Sequence, residues 1–261
     1  MATTSVMYAT LPLRFRHVLR RHFLMWRKVA AISLLAHVIE PLIWLLGVGY
    51  GLGRSLPDME GLSYPAFLAA GMIFNAVTTS ASYEGLTAVF LRWKVDRTWD
   101  GILHAPMTAV DVILGEWCWV AAKASITALG IVTVVCALGL LPVGIVPWVM
   151  LTAVLLGLAM AAIALVVTAL ISAEELQDYY FSLFLVPMSV VSGVFFPIDR
   201  LPASLQTLAE LLPLYHATAA TRMLATGAPL LHVIPHLGII CLYAIVGIVT
   251  AVRVIRNRVL R

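Results

Sequence analysis

Charge is scarce in this sequence. Asp, Glu, Lys and Arg make up only 11% of its 261 residues, whereas 62% are hydrophobic; soluble domains carry about 25% charged residues. This composition cannot cover a water-exposed surface, and a soluble protein is therefore excluded. At this length we expect a single membrane domain without a separate soluble domain beside it.

The signatures of membrane enzymes are also absent. The sequence contains no HExxH zinc motif, no serine-protease motif and no GxxxxGK[ST] phosphate-binding loop. His232 and His236 stand four residues apart but lack an acidic third ligand, and the other histidines are scattered. We predict no catalytic residue, no metal site and no cofactor in this chain, so an intramembrane enzyme or a passive channel is the less favoured class.

Cysteine is rare as well. Cys118, Cys136 and Cys241 each fall within an apolar stretch, and no CxxC motif is present. Such isolated cysteines are typical of small buried hydrophobic side chains. The sequence therefore predicts neither a disulfide nor a cysteine-bound metal.

What the sequence has in abundance is long apolar stretches. A helix that rises about 1.5 Å per residue needs about 20 apolar residues to cross a hydrocarbon core of about 30 Å. Six stretches reach that length, which predicts an all-α, polytopic membrane protein with six transmembrane helices. The predicted spans are 29–53, 65–89, 109–140, 147–171, 177–196 and 231–252.

The positive charges lie mainly on one side of these spans. Thirteen of the 17 Lys and Arg residues fall in segments 14–28, 92–97 and 253–261, three fall on the other side, and Lys123 lies inside a span. Cytoplasmic loops are enriched in Lys and Arg, so we expect both termini in the cytoplasm. The pI near 9.1 then reflects membrane ends that meet anionic lipid, and no nucleic-acid partner is predicted.

Residues 1–28 are predicted to contain a cytoplasmic amphipathic helix that lies in the membrane interface. Apolar and aromatic side chains recur at helical spacing from Leu11 to Trp26, while arginines occupy the other surfaces. A simple positively charged anchor would explain the charges but not the apolar stripe.

Several polar side chains interrupt the predicted spans. A carboxylate near the bilayer centre costs about 2.5–3.5 kcal/mol on insertion scales, so each should face protein or water. Helix packing with ion pairing and the lining of a transport pathway remain alternatives. We expect Glu40 or Glu84 to neutralise Lys123, within one chain or between two copies of it, and we favour Glu40 because it lies nearer mid-membrane by residue count. The pathway or buried polar candidates are Glu40, Asn75, Thr79, Glu84, Glu116 and Lys123.

Two segments outside the spans are predicted to be helical. In the charged segment 94–106, Val95, Trp99 and Leu103 form a helical stripe, which indicates a short helix along the membrane that is available for docking. Residues 197–226 are broken by prolines, too polar to cross the membrane and too apolar for an ordinary loop. They predict an external re-entrant helical hairpin before the last span.

Three stretches resemble a known family. SGVFFPIDRLP at 192–202, followed by LLPLYHATAATR at 211–222, is similar to the C-terminal signature of the ABC-2 family of ATP-binding-cassette permeases. EPLIWLLGVGYGLG at 40–53 and DRTWDGILHAPMTAVDVILGEWCWVAAKA at 96–124 resemble the nodulation-type branch (NodJ) of that family, exporters of lipo-oligosaccharides. The resemblance runs through essentially the whole chain.

The resemblance implies a homodimeric six-helix permease, residues 29–261 of each chain, in the inner membrane of a bacterium. Two copies of a separate P-loop ATPase would bind ATP and Mg²⁺. The implied cargo is an amphipathic lipid-linked saccharide, such as a lipo-oligosaccharide, polysaccharide or glycolipid, and membrane lipids would surround the dimer. An ABC-2 exporter of a drug or of another lipid is the alternative.

The resemblance also implies roles for particular residues. The loop between spans two and three would be the coupling helix, which contacts the ATPase. A carbohydrate exporter would further be expected to carry aromatic side chains at its portal, unless these residues simply face lipid. The coupling candidates are Asp96, Arg97, Trp99, Asp100, Leu103, His104 and Pro106, and the portal candidates are Tyr180, Phe184, Phe195 and Phe196.

Overall fold

The computed structural model describes residues 14–259, except for the side chains of Arg54 and Val259. This range is mostly helical, and its one extended pairing is an isolated bridge between Met59 and Leu62. The predicted all-α fold is therefore confirmed. The helices are α1 (Phe15–Trp26), α2 (Ala30–Trp44), α3 (Tyr64–Ser82), α4 (Thr98–Leu103), α5 (Ala109–Ala137), α6 (Val146–Leu170), α7 (Leu176–Tyr180), α8 (Val186–Val191), α9 (Ala203–Glu210), α10 (Pro213–Ala225) and α11 (Leu230–Val259).

Short π-helical segments extend several of these helices. Leu45–Tyr50 continues α2, Tyr83–Ala88 and Leu91–Val95 continue α3, and Phe181–Leu185 joins α7 to α8. Residues 64–95 and 176–191 are therefore two continuous helical runs. Such π-turns occur often at functional sites, and two of them border the site described below.

Within the described range, four helices are long and apolar enough to cross a membrane: Ala30–Tyr50, Ala109–Ala137, Val143–Leu170 and Leu230–Arg258. They coincide with predicted spans one, three, four and six. Predicted spans two and five also fall on helical runs, 64–95 and 176–191. The first of these runs is interrupted by polar side chains, and the second is short for a crossing.

The predicted span 177–196 is wrong at its C-terminal end. Its helix stops at Val191, because Gly193 adopts a left-handed conformation with φ of 75°. The chain then packs against the middle of α3, where a Cβ on Gly71 would lie 2.6 Å from the carbonyl oxygen of Val194. The chain therefore reverses direction at the level of Gly71, which lies seven residues, or about 10 Å, from the start of α3.

The basic segments gather at one end of the helix bundle. Lys94 donates to carbonyl groups at the C-terminal end of α6. Burial is the main cause that lowers the pKa of Lys94, and the positive charge of Arg258 lowers it further. Arg258 belongs to the last turns of α11, so these turns lie near Lys94. Arg14 donates to the carbonyl oxygen of Pro106 at 2.8 Å. We name this end, which carries the start of α1 and the loop after residue 95, the basic end.

Helix α1 packs against the first turns of α5. Val18 is buried, and its Cβ would lie 2.5 Å from a Cβ on Gly115. His22 is also buried and stacks on Trp119 with ring centroids 5.8 Å apart. The segment predicted to form an amphipathic helix is therefore helical over residues 15–26. Val18 and His22, which belong to its apolar stripe, pack against α5. Leu11 and the rest of residues 1–13 lie outside the described residues.

Residues 197–226 contain the two helices α9 and α10 of the predicted hairpin. Arg222 in α10 is 5% exposed, its guanidinium carbon lies 3.4 Å from the centroid of the Phe67 ring, and it donates to the carbonyl oxygen of Gly193 at 2.8 Å. Its Nη1 lies 3.9 Å from the carboxylate of Glu60. These contacts fasten the hairpin at the opposite end of the bundle from the basic end.

Candidate functional site: a buried charge network

Glu116 in α5 lies at the centre of a buried polar group near the basic end. It is 0% exposed. Arg92 pairs with it at two points, Nη2 at 2.7 Å from Oε2 and Nε at 3.2 Å from Oε1. Trp99 Nε1 donates to Oε1 at 3.1 Å. His22 Nε2 approaches Oε1 at 3.2 Å, although the two atoms are not aligned for a hydrogen bond.

Glu84 forms the other half of this group. It belongs to the π-segment Tyr83–Ala88 and is 6% exposed. Its Oε1 accepts from Arg92 Nη1 at 2.9 Å and from Trp119 Nε1 at 3.1 Å, and its Oε2 accepts from Lys123 Nζ at 2.7 Å. The guanidinium of Arg92 therefore bridges both carboxylates. We name the whole group the charge network; its members are His22, Glu84, Arg92, Trp99, Glu116, Trp119 and Lys123.

The charge network is electrically balanced when His22 is neutral. Two carboxylates then face one guanidinium and one ammonium group. A buried ion pair persists only when both charges are matched and hydrogen-bonded, and removal of one partner costs about 3–5 kcal/mol. Every carboxylate oxygen of the network accepts at least one hydrogen bond, so the group suits a rigid connection between α1, the run 64–95, α4 and α5. Among the described residues no group of three His, Cys, Asp or Glu side chains is placed to hold a metal ion.

Helical spacing explains how the network assembles. Glu84 and Arg92 stand eight residues apart on one continuous helical run and so face the same side. Glu116 and Lys123 are seven residues apart on α5 and share its opposing face. Sequence reasoning selected both glutamates, the lysine and, as a coupling residue, Trp99, but it missed Arg92, His22 and Trp119. The eight-residue spacing would have revealed Arg92 if the predicted helix had been continued beyond residue 89.

Within one protomer, the favoured pairing of Lys123 with Glu40 is wrong. Lys123 pairs with Glu84, whereas Glu40 is exposed on α2. Residue counting placed Glu40 closer to mid-membrane, but it gave no information about which face of α2 meets which neighbour. The side chain of Glu40 borders α3 and the outside of the bundle.

Three other polar candidates lie together at a separate place. Glu40, Asn75 and Thr79 line one cavity of about 40 Å³ between α2 and α3, and Asn75 Oδ1 accepts from Ser189 Oγ at 2.6 Å. This volume suits water and is far below the roughly 300 Å³ of a small ligand pocket. The six predicted polar residues therefore divide into two groups, three in the charge network and three at this cavity.

The short helix predicted over 94–106 is present as α4, with the narrower bounds Thr98–Leu103. Arg97 precedes the helix as its N-cap residue with a φ of 53°, and its Nη1 lies 3.6 Å from Asp100 Oδ2 across one turn. Leu103 is half-buried. Apart from Leu103 and Trp99, the residues of the predicted coupling set are exposed: Asp96, Arg97, Asp100, His104 and Pro106.

The prediction that Trp99 is an exposed docking anchor is wrong. Trp99 is 0% exposed, and its ring stacks on Trp93 with centroids 5.0 Å apart. Its indole nitrogen donates to Glu116. Trp99 therefore fastens α4 to the charge network and offers no surface to a partner.

The four predicted portal aromatics do not form one surface. Tyr180 is buried, its hydroxyl lies 3.4 Å from Ser82 Oγ, and its ring centroid lies 5.2 Å from that of Phe184. Phe195 lies beyond the end of α8, with its ring 6.1 Å from that of Trp44 on α2, and Phe196 beside it is half-buried. The two pairs therefore occupy different parts of the bundle, and Tyr180 is too buried to contact a cargo directly.

A comparison with protein families decides which kind of membrane protein carries these features. Residues 14–225, which include α1, the charge network, α4 and the hairpin, match the ABC-2 type transporter family. The chain belongs to this family. It is therefore a multi-pass membrane protein and the permease subunit, the transport part, of an ABC transporter.

Individual relatives are similar over nearly the whole chain. The chain is 39% identical to Nodulation protein J of Rhizobium meliloti (strain 1021) over 243 residues, 93% of each protein. It is 40% identical to Nodulation protein J of Bradyrhizobium diazoefficiens over 246 residues, 94% of this chain and 93% of the relative. It is 26% identical to the inner membrane transport permease YadH of Escherichia coli (strain K12) over 195 residues, 73% of this chain and 74% of the relative. The resemblance to the nodulation-type branch is thus confirmed.

Proposed function

We propose that this chain is the permease of an exporter that moves an amphipathic lipid-linked saccharide across a bacterial inner membrane. ATP hydrolysis on two copies of a separate P-loop ATPase would drive the export, with ATP and Mg²⁺ bound by those subunits. The membership of the ABC-2 family supports the need for such a partner. The similarity to proteins named Nodulation protein J supports a saccharide-lipid cargo of the nodulation type.

The observation that carries the proposal is the construction of α4. Asp96, Arg97 and Asp100 are exposed and charged, whereas Trp99 on the inner side is buried against Glu116. An exposed charged surface with a rigid buried attachment suits a helix that docks on a partner and passes on its movement. In this role α4 is the coupling helix.

The charge network provides the path for that movement. Closure of the ATPase pair would push α4, and Trp99 would displace Glu116 on α5. Because Arg92 links Glu116 to Glu84, the run 64–95 would move with α5. Such a linkage would swing the helices between inward-facing and outward-facing states as a connected unit.

The active unit is proposed to be a homodimer of six-span protomers with both termini in the cytoplasm. The location of the positive charges at one end of the bundle supports this orientation. Glu40 supports the second copy, because it is exposed on the outer face of α2. In contact with lipid its charge would cost about 2.5–3.5 kcal/mol, so protein or water is expected to cover it.

The test is complex assembly and ATP hydrolysis with the partner P-loop ATPase. The double variant Asp96→Ala/Asp100→Ala should keep the melting temperature of the permease, since both side chains are exposed, but should reduce severalfold the bound ATPase or its stimulation by the permease. Asp58→Ala, an exposed acid at the other end, is the matched control and should assemble normally.

The outcome decides the coupling role directly. Normal assembly and normal stimulated hydrolysis in the double variant would contradict the assignment of α4. Mass spectrometry of lipids that co-purify with the wild-type complex tests the cargo separately. Saccharide-bearing lipids are expected, and a drug or a plain lipid bound in their place would favour the alternative ABC-2 exporter.

A further inference from the structure

A second cavity, of about 320 Å³, opens beside the helical run 176–191 and contains none of the members of the charge network. Small-molecule pockets in proteins begin at about 300 Å³, so this space suits one small ligand group. It lies near the basic end, between the runs 64–95 and 176–191. Its lining residues are Tyr83, Thr87, Glu174, Glu175, Gln177, Asp178 and Phe181.

Gln177 gives the observation that points to a ligand. Its side chain is 4% exposed, and its Oε1 accepts from Thr87 Oγ1 at 2.8 Å. Its Nε2 is buried without a hydrogen-bond partner among the described residues, although an unsatisfied buried amide costs about 1–3 kcal/mol. If the amide were turned over, the oxygen would be left unpaired instead. In either orientation Gln177, one of the lining residues, keeps one amide atom without a partner.

The remaining lining limits the chemistry of the ligand. The rings of Tyr83 and Phe181 lie with centroids 4.5 Å apart, and Tyr83 is 54% exposed, which makes an accessible aromatic surface. The carboxylates of Glu174, Glu175 and Asp178 accept hydrogen bonds, and no described lining residue is basic. A sugar ring fits this set, because its C–H face packs on aromatic rings, its hydroxyls donate to carboxylates and its oxygens accept from an amide. A phosphate group does not fit, since it would be repelled.

We propose that this cavity binds the uncharged saccharide headgroup of the cargo as it enters from the basic end. This assignment rests on the proposed function, which supplies a saccharide-bearing cargo. Glu175 and Asp178 also line a neighbouring cavity of about 480 Å³ together with Tyr179, Ser182 and Leu183. The headgroup therefore has a second polar space along the same helical run, while the lipid chain stays against the apolar outer surface.

Saturation-transfer NMR tests the site on the full permease–ATPase complex in nanodiscs of phosphatidylethanolamine and phosphatidylglycerol. Lactose serves as the uncharged saccharide probe, choline as an organic cation and glucose 1-phosphate as an anionic sugar. We expect saturation transfer to the ring protons of lactose. Gln177→Leu and Phe181→Leu should each weaken lactose binding about fivefold, the effect of one lost hydrogen bond or stacking contact. Phe23→Leu, an exposed phenylalanine on α1, is the matched control and should leave the signal unchanged.

Each contrary result has a distinct meaning. Absence of transfer to lactose in the wild-type complex, or transfer that persists in both cavity variants, overturns the site. Transfer to choline that depends on Gln177 and Phe181, in place of lactose, overturns the saccharide class. Binding of the ATPase is recorded in the same samples: if it is intact, only the site has failed, whereas a wild-type chain that does not assemble contradicts the proposed function itself.

Discussion

Arg92 holds the charge network together, because its guanidinium contacts the carboxylates of both Glu84 and Glu116. Lys123 adds the second positive charge on the far oxygen of Glu84. Each carboxylate is therefore compensated by a specific cation. This arrangement makes the energetic link between Glu84 and Lys123 measurable without disturbing the contact of Arg92 with Glu116.

Lys123→Met should lower the melting temperature of the permease, because one oxygen of Glu84 would remain buried without its cation. Breaking a buried pair costs about 3–5 kcal/mol, and the loss should fall near the lower end since Arg92 still contacts Glu84. Lys123→Met/Glu84→Gln should recover much of this loss. Thermal unfolding of the four proteins in the cycle gives the coupling energy.

Glu40→Gln is the control for this cycle. Glu40 makes no ion pair with Lys123 in the structure, so the effects of Glu40→Gln and Lys123→Met should add. Coupling of Lys123 to Glu40, with strict additivity for Glu84, would contradict the network as described.

Sequence reasoning identified costly residues better than it identified their partners. The intramembrane positions of Glu84, Glu116 and Lys123 follow from hydropathy and helical spacing, because a charge in an apolar stretch needs compensation. Which charges meet depends on the rotation of neighbouring helices, which spacing within one helix does not report. Trp99 shows the same limit: its helical stripe predicted a surface for docking, but the side chain of Trp99 packs inward on Glu116.

At the scale of helices and loops, the predicted positions agree best where an apolar stretch is uninterrupted. The helices at 109–137 and 146–170 depart from the predicted spans by only a few residues. The C-terminal end of predicted span five differs because the conformation of Gly193 ends the helix, an effect of one residue that hydropathy averaging hides. The hairpin was predictable from its prolines, whereas its attachment through Arg222 was not.

The contact between α10 and α11 contains a pair of histidines. His216 Nε2 lies 2.8 Å from the carbonyl oxygen of Glu210 and must donate to it, so the Nδ1 of His216 accepts from His236 Nδ1 at 2.9 Å. Burial is the main cause that lowers the pKa of His216, and the contacts with Glu210 oppose it in part. This pairing therefore depends on a neutral His216.

Acidification should loosen the hairpin. Because the folded pKa of His216 is below its unfolded value of about 6.5, the neutral ring stabilises the fold above that pH, and this contribution is lost as the pH falls below it. Wild-type permease should show a lower melting temperature near pH 5 than at neutral pH. His216→Gln should show a smaller pH dependence, and an equal dependence in both proteins would contradict the role of this pair.

At the scale of the whole molecule, the outer faces of α2 and α11 are both exposed and apolar. The face of α2 includes Leu35 and Ile39 and also carries Glu40, whereas that of α11 includes Leu242 and Ile245. Lipid suits the second face, but a carboxylate favours protein or water beside the first. The second permease copy is therefore expected on α2.

Disulfide cross-linking in membranes tests this arrangement. After replacement of Cys118, Cys136 and Cys241, single cysteines are placed in turn at 32, 35 and 39 on α2, and at 242 and 245 on α11. Oxidation should yield covalent dimers for at least one α2 position and for neither α11 position. Covalent dimers that form only through the α11 positions would contradict a dimer interface on α2.

The most direct measurement of the central claim follows ATP hydrolysis and export together in proteoliposomes that contain the permease–ATPase complex with Glu116→Gln. This change keeps the shape of the side chain but removes the charge that holds Arg92 and Trp99. The exposed residues of α4 remain, so the complex should assemble and hydrolyse ATP. Export per ATP should fall about tenfold, within the range of a coupling energy of 1–3 kcal/mol. Arg92→Lys, which keeps the charge but loses the two-point contact, should show the same uncoupling in milder form. Assembled complexes of both variants that export as much per ATP as the wild type would contradict transmission through the charge network.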